Sequence, residues 1–159
     1  MLSLIKKEVK NIFDAKIIVS LRFSKWVANF VPIINKRDEI RLCIEFWNLN
    51  KVSLKDHYPL PKKDYILQKV VGSQKMSMLE GFSGYNHIMV HLDDRDKTTF
   101  TTPWGTFMYA KMPFGLMNIG ATFQREMDIV FADEKEIFIV IYLEHITVYS
   151  SPKNNISNI

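Results

Sequence analysis

A single cysteine, Cys43, stands among the 159 residues, so no intrachain disulfide can form and a disulfide-stapled secreted scaffold is excluded. No run of about 18 uncharged apolar residues occurs, which removes a membrane-spanning helix from consideration. The first ten residues carry three lysines and no long apolar stretch, unlike a signal peptide. The sequon Asn155-Ile156-Ser157 is therefore read as a chance match. Internal repeats and low-complexity segments are also missing. These absences leave an intracellular protein, cytoplasmic or nuclear and not secreted, with no membrane partner. What is present is ordinary globular composition, 47% hydrophobic and 24% charged. The length suits one core and about one domain.

Charge is unevenly spread. Residues 1–75 hold 15 Lys/Arg against 7 Asp/Glu, whereas residues 76–159 hold 6 against 10. A basic half beside an acidic half suits contact with a polyanion on one side and with cations on the other. A solvated surface with scattered charge is the plainer reading of the same numbers.

The hydrophobic pattern mixes helices with hairpins. Ile5, Val9, Ile12 and Phe13 share one helical face, with Ser3 as N-cap and Lys6, Lys7 and Lys10 toward solvent. Residues 31–34 and 40–46 read as a hairpin around a charged turn. Pro61 can start a helix lined by Ile66, Leu67, Val70 and Val71, which Gly72 can end. Met76–Leu79 is a short apolar strand. Thr98–Thr102 and Thr106–Ala110 flank Pro103-Trp104-Gly105 as a further hairpin. Phe123, Met127, Val130 and Phe131 fall on one helical face. Ile137–Ser150 forms two apolar runs around a polar pair, Glu144 and His145, which the pattern places at the turn. Short turns between successive strands predict an α+β fold with an antiparallel sheet.

Two carboxylates close apolar strands, Glu80 after Met76–Leu79 and Glu144 after Ile137–Leu143. If those strands share a sheet, both can meet at one edge, where carboxylates hold hard cations such as Mg²⁺. A pair of such ions roughly 3.5–4 Å apart can clamp the oxygens of a phosphoryl transfer. By spacing alone, a glutamate at a strand end is more often simply solvated.

The block Lys111-Met112-Pro113-Phe114-Gly115-Leu116-Met117-Asn118-Ile119-Gly120-Ala121-Thr122-Phe123-Gln124 resembles the most recognisable stretch of reverse transcriptases from gypsy-type LTR retrotransposons, in the lineage abundant in plant genomes. Arg41 to Lys51 is similar to the family's fingers motif, followed by Tyr58-Pro59-Leu60-Pro61. Leu79 to Asn86 resembles the first catalytic motif, and Lys97 to Gly105 the next strand pair. Tyr142-Leu143-Glu144-His145 stands where the family has Tyr-X-Asp-Asp. The resemblance runs from about Lys6 to Ser150.

It implies an α+β fold of fingers and palm subdomains, an antiparallel palm sheet with packed helices, over residues 1–150, with 151–159 a polar tail. Thumb, connection and ribonuclease H parts would belong to a longer pol polyprotein. The implied activity is RNA-directed DNA polymerisation by two-metal nucleotidyl transfer, with two Mg²⁺ ions, an RNA or DNA primer–template and a dNTP. Carried over by position, Glu80 takes the place of the first catalytic aspartate, with the Gly81 carbonyl as a further metal ligand. Glu144 and His145 take the aspartate pair. Tyr85 would lie under the incoming sugar, Arg41 and Lys36 would contact the triphosphate, and Phe114 and Gly115 would border the nucleotide pocket. The basic first half would supply sequence-independent backbone contacts.

All three aspartates are thus replaced, and Trp47 stands where the family has an arginine. Each Glu adds a methylene, moving its carboxylate by about a bond length, and misplacement of about 1 Å can cost roughly 10²-fold in rate. His145 exchanges a carboxylate for an imidazole, which suits Zn²⁺ or Cu²⁺ better than Mg²⁺. The expectation is an inactive or impaired polymerase. A non-catalytic nucleic-acid-binding remnant and a decayed product without function are the alternatives. Asp93-Asp94 imitates an aspartate pair but has the composition of a surface turn. His91, Glu144 and His145 match no standard zinc spacing. Without the family pattern, Tyr85 and Phe114 would be read as core aromatics.

Overall fold

The computed structural model describes residues 1–34, 40–135 and 137–150, with Phe82 and Ser83 described by their backbone alone. The polar tail 151–159 and the charged turn 35–39, which includes Lys36, lie outside the described residues. Helices mix with strands, and every pairing between strands is antiparallel, as the sequence pattern predicts. Among the described residues no helix is long and apolar enough to cross a membrane. The backbone divides into two compact units, Met1–Leu54 with Tyr85–Ile119, and Lys55–Gly84 with Gly120–Ile159.

In the first unit, α1 (Leu2–Asp14) buries Ile5 and Val9, one turn apart on its apolar face. The helix begins two residues earlier than the pattern suggests: Met1 is the N-cap, without a side-chain cap bond, and Ser3 lies inside the first turn. β1 (Ile18–Ser20), β6 (Gly105–Tyr109) and β5 (Phe100–Thr102) form a sheet in the order β1-β6-β5. Thr102 pairs with Gly105, leaving Pro103-Trp104 as the two-residue turn. β2 (Asn29–Ile34) and β3 (Ile40–Glu45) pair as a hairpin, with Val31 opposite Cys43 and Ile33 opposite Arg41. Strand alternation buries Ile40 and Ile44 and turns Arg41, Cys43 and Glu45 outward. Ile18 and Phe100 are fully buried, and Phe100 packs on Tyr109 with ring centroids 5.5 Å apart. Residues Trp47–Val52 form a short helix, α2, where the sequence suggested no element.

Asp93 and Asp94 sit in a 3₁₀ segment, Leu92–Thr98, that starts at the His91 cap. Lys97 bridges Asp94, and His91 Nδ1 accepts from the Asp93 N–H. This is the geometry of a surface turn, as their composition indicates.

The second unit holds α3 (Lys63–Val70), α4 (Ile119–Val130) and a sheet in the order β4-β8-β7. β4 (Met76–Glu80) is an edge strand, exposed throughout. β7 (Ile139–Tyr142) and β8 (His145–Tyr149) form the terminal hairpin. Its turn is Leu143-Glu144, one residue before the polar pair that the sequence placed there. Ladder partners on both sides, Tyr142 and Glu80, draw His145 into β8. The left-handed φ of +53° falls on Leu143, at the first central position that a type II′ turn requires to be positive. On α4, Phe123 and Gln124 are buried, whereas Val130, placed on the apolar face by spacing, is exposed at the helix end.

Candidate functional site

Antiparallel pairing sets Glu80 directly opposite His145, the first residue of β8, with Glu144 preceding it in the turn. Directly opposed residues point to the same face of a sheet, with Cβ atoms about 4.5–5.5 Å apart. Glu80 and His145, 65 positions apart in the chain, therefore meet at one sheet end, and the strands before Glu80 and Glu144 share one sheet, the condition the sequence set for those two to meet. The His145 Nε2 lies 3.9 Å from Glu144 Oε1. The His145 ring also lines a hollow of about 270 Å³ against α3, shared with Lys63, Ile66, Leu67 and Tyr142.

Backbone close to this end is tightly held. The Gly81 N–H donates to the Glu144 carbonyl at 2.6 Å, and the Gly81 carbonyl accepts from the Gly84 N–H at 2.7 Å. One lone pair of the carbonyl proposed as a ligand is thus already engaged. Glycine is needed here for close approach. A Cβ at Gly81 would stand 3.1 Å from the Glu144 carbonyl oxygen, and one at Gly84 would stand 2.8 Å from the Phe123 ring.

The turn is anchored from behind by a buried amide. Gln124, fully buried on α4, accepts the Leu143 N–H at Oε1, 2.9 Å away. Its Nε2 donates to Asp128 Oδ1 at 3.0 Å and to the Ile141 carbonyl at 3.3 Å. Asp128 also accepts from the Tyr58 hydroxyl at 2.7 Å and pairs with Lys135 at 2.8 Å. Burial pushes the Asp128 carboxyl up, but the bonds from Lys135, Tyr58 and Gln124 together hold it below its ordinary value. Arg125 stacks over the Tyr58 ring at 4.7 Å and reaches Asp56 at 2.6 Å. This network was not foreseen from the sequence. Its one signal is a Gln and an Asp spaced i, i+4 along the helix.

The remaining candidates belong to the first unit. Tyr85 is 3% exposed and meets Phe114 edge-to-face, with centroids 4.8 Å apart. Gly115 has a φ of +93°, and its carbonyl accepts from Asn50 Nδ2 at 2.7 Å. Asn50 Oδ1 in turn accepts the Met117 N–H at 2.8 Å. Asn50 thereby clamps the loop that carries Phe114 and Gly115. A cavity of about 580 Å³ is bordered by Cys43, Phe46, Trp47, Asn50, Lys51 and Gly115, with Trp47 exposed. Arg41 stands on the outer face of β3, and Lys36 lies outside the described residues.

Among the described residues no three His, Cys, Asp or Glu side chains come close enough together to hold a metal ion. Glu80, Glu144 and His145 offer two carboxylates and an imidazole, a donor set poorer in oxygen than hard cations favour.

The family model described as Reverse transcriptase (RNA-dependent DNA polymerase) matches residues 34–159. The chain belongs to the reverse transcriptase family. An RNA-directed DNA polymerase homolog from Oenothera berteroana is 34% identical over 117 residues, covering 74% of this chain and 82% of that protein. The Pol polyprotein from transposon 297 of Drosophila melanogaster is 32% identical over 126 residues, but the chain spans only 12% of its length. The polyprotein from transposon gypsy of the same organism is 30% identical over 115 residues, and the chain spans 11% of it. The foamy viral protease–reverse transcriptase solved with double-stranded DNA superposes with a TM-score of 0.80 at 16% identity, covering 93% of this chain and 30% of that one. That likeness establishes the reverse transcriptase fold, in which the elements above are fingers and palm.

Proposed function

We propose that this chain is the fingers–palm part of a gypsy-type reverse transcriptase of the plant-abundant lineage, with a nucleotidyl-transfer centre impaired by its own side chains. The observation that carries the reading is the pairing of Glu80 with His145 beside Glu144. Glu80, Glu144 and His145, the residues read as standing in for the family aspartates, would then form the altered centre. Two Mg²⁺ ions, which the family implies, do not fit this donor set, because Mg²⁺ demands near-ideal octahedral oxygen geometry. The glutamates also carry their charge about a bond length too far. Tyr85, Phe114, Gly115, Arg41 and Lys36 would be the nucleotide-facing residues, and primer–template RNA or DNA the partner.

Primer extension on an RNA template with Mg²⁺ tests this. The unsubstituted chain is expected to run at least about 10²-fold below the variant carrying Glu80→Asp, Glu144→Asp and His145→Asp. Equal rates in the two chains would sink the proposal.

A non-catalytic nucleic-acid-binding role is favoured by one further observation. Trp47 is 69% exposed at a cavity that Lys51 also borders. An exposed indole beside an ammonium is the pairing that stacks a base and neutralises its phosphate. Binding to primer–template should weaken steeply with salt, and Trp47→Ala should lower affinity by about tenfold at fixed salt. No binding at low salt would refute this role.

A further inference from the structure

The first unit carries another cavity, of about 450 Å³, between α1 and the β5–β6 hairpin. Val9, Phe13, Trp104 and Phe107 form apolar walls, and Lys6 and Lys10 border it. Volume and lining match small-molecule sites, which are mostly apolar with a few polar groups that fix orientation. Phe13 meets Phe107 edge-to-face, with centroids 5.9 Å apart.

The two lysines are oddly placed for stability alone. They sit at i and i+4 on α1, where like charges repel. Neither takes part in an ion pair among the described residues. A local conflict of this kind is expected at functional positions, where a ligand supplies the missing partner. An anion at the cavity mouth would answer both lysines at once.

We propose that this cavity binds a small organic anion with an aromatic body and a single carboxylate or sulfonate head. Three aromatic rings in the lining favour an aromatic body, which gains edge-to-face contacts beyond its buried area. Ammonium groups act as point charges rather than planar forks, so they accept either head group. The rings of Phe13 and Phe107 already engage each other, which disfavours stacking of a nucleobase strand between them.

The probe is 1-anilinonaphthalene-8-sulfonate, titrated into the full chain by fluorescence. Saturable one-site binding is expected. Lys6→Gln with Lys10→Gln should weaken it about tenfold, the order expected from losing two exposed charge-assisted contacts. Lys7→Gln, which does not border the cavity, should change it less than about twofold. Trp104→Leu, a milder change to the wall, should weaken both this probe and its uncharged analogue N-phenyl-1-naphthylamine. Naphthalene-2-carboxylate should displace the probe. Because this dye also binds molten states, each variant must keep a cooperative urea transition with an unchanged m value. Equal affinity in the double-lysine variant and the parent would overturn the proposal. So would a signal that grows only as cooperativity is lost. Displacement by decanoate or by single-stranded oligonucleotide, but not by the aromatic carboxylate, would overturn it as well.

Discussion

Replacing Gln124 by leucine removes the amide that holds the Leu143-Glu144 turn while nearly conserving volume. Three bonds vanish: from the Leu143 N–H, to Asp128 and to the Ile141 carbonyl. They do not count equally. Asp128 keeps Tyr58 and Lys135, and Ile141 keeps its ladder with Ile146. The Leu143 N–H has no ladder partner and is left without one, which costs about 1–3 kcal/mol. Weakening Asp128 adds about 1 kcal/mol, and burying leucine in place of an amide returns a similar amount. The net expectation is a loss of about 2 kcal/mol. It should appear as a lower urea midpoint at constant m and as faster hydrogen exchange at the Leu143 amide. Gln124→Glu separates anchoring from packing. It can still accept from Leu143 but sets a second carboxylate against Asp128, so it should be more destabilised at pH 7 than at pH 4. A stability change under about 0.5 kcal/mol for Gln124→Leu, with Leu143 exchange unaltered, would refute the anchoring argument.

Two further outcomes follow from the same unit. The folded-state pKa of Asp128 lies below its ordinary value, so its contribution to stability is complete above the unfolded pKa of about 3.9 and is lost as pH falls through the lower folded value. Asp128→Asn should therefore lower the melting temperature at pH 7 and leave it nearly unchanged near pH 2, as differential scanning calorimetry can check. Gly84→Ala forces a Cβ to within 2.8 Å of the buried Phe123 ring, and such overpacking costs about 1–3 kcal/mol. A melting temperature equal to that of the parent would show that the ring yields without cost.

Much of the fold was legible because the pattern is local. Apolar runs at 31–34 and 40–46 around a charged turn mark a hairpin whatever else the chain does. Apolar runs closed by Glu80 and before Glu144 mark strand ends in the same way. The position of the last turn was not legible to the residue. Ile139, Val140 and Ile141 are all buried, so the run shows no alternation from which to count register. Polarity then favoured Glu144-His145 as the turn, and only pairing with Tyr142 and Glu80 moves it back by one.

What the sequence determined by itself is the family membership and the α+β class, because ordered motifs and residue identities are properties of the chain alone. What tertiary structure decided is which groups answer one another. Glu80 opposes His145 through strand pairing, and Gln124 reaches Leu143 from a helix 19 residues earlier. Tyr58 reaches Asp128 across 70 residues. Such bonds are made between polar groups far apart in the chain, and no local pattern encodes their meeting. Hydrogen bonding requires a partner once a polar group is buried, but only the packed fold determines which partner that is.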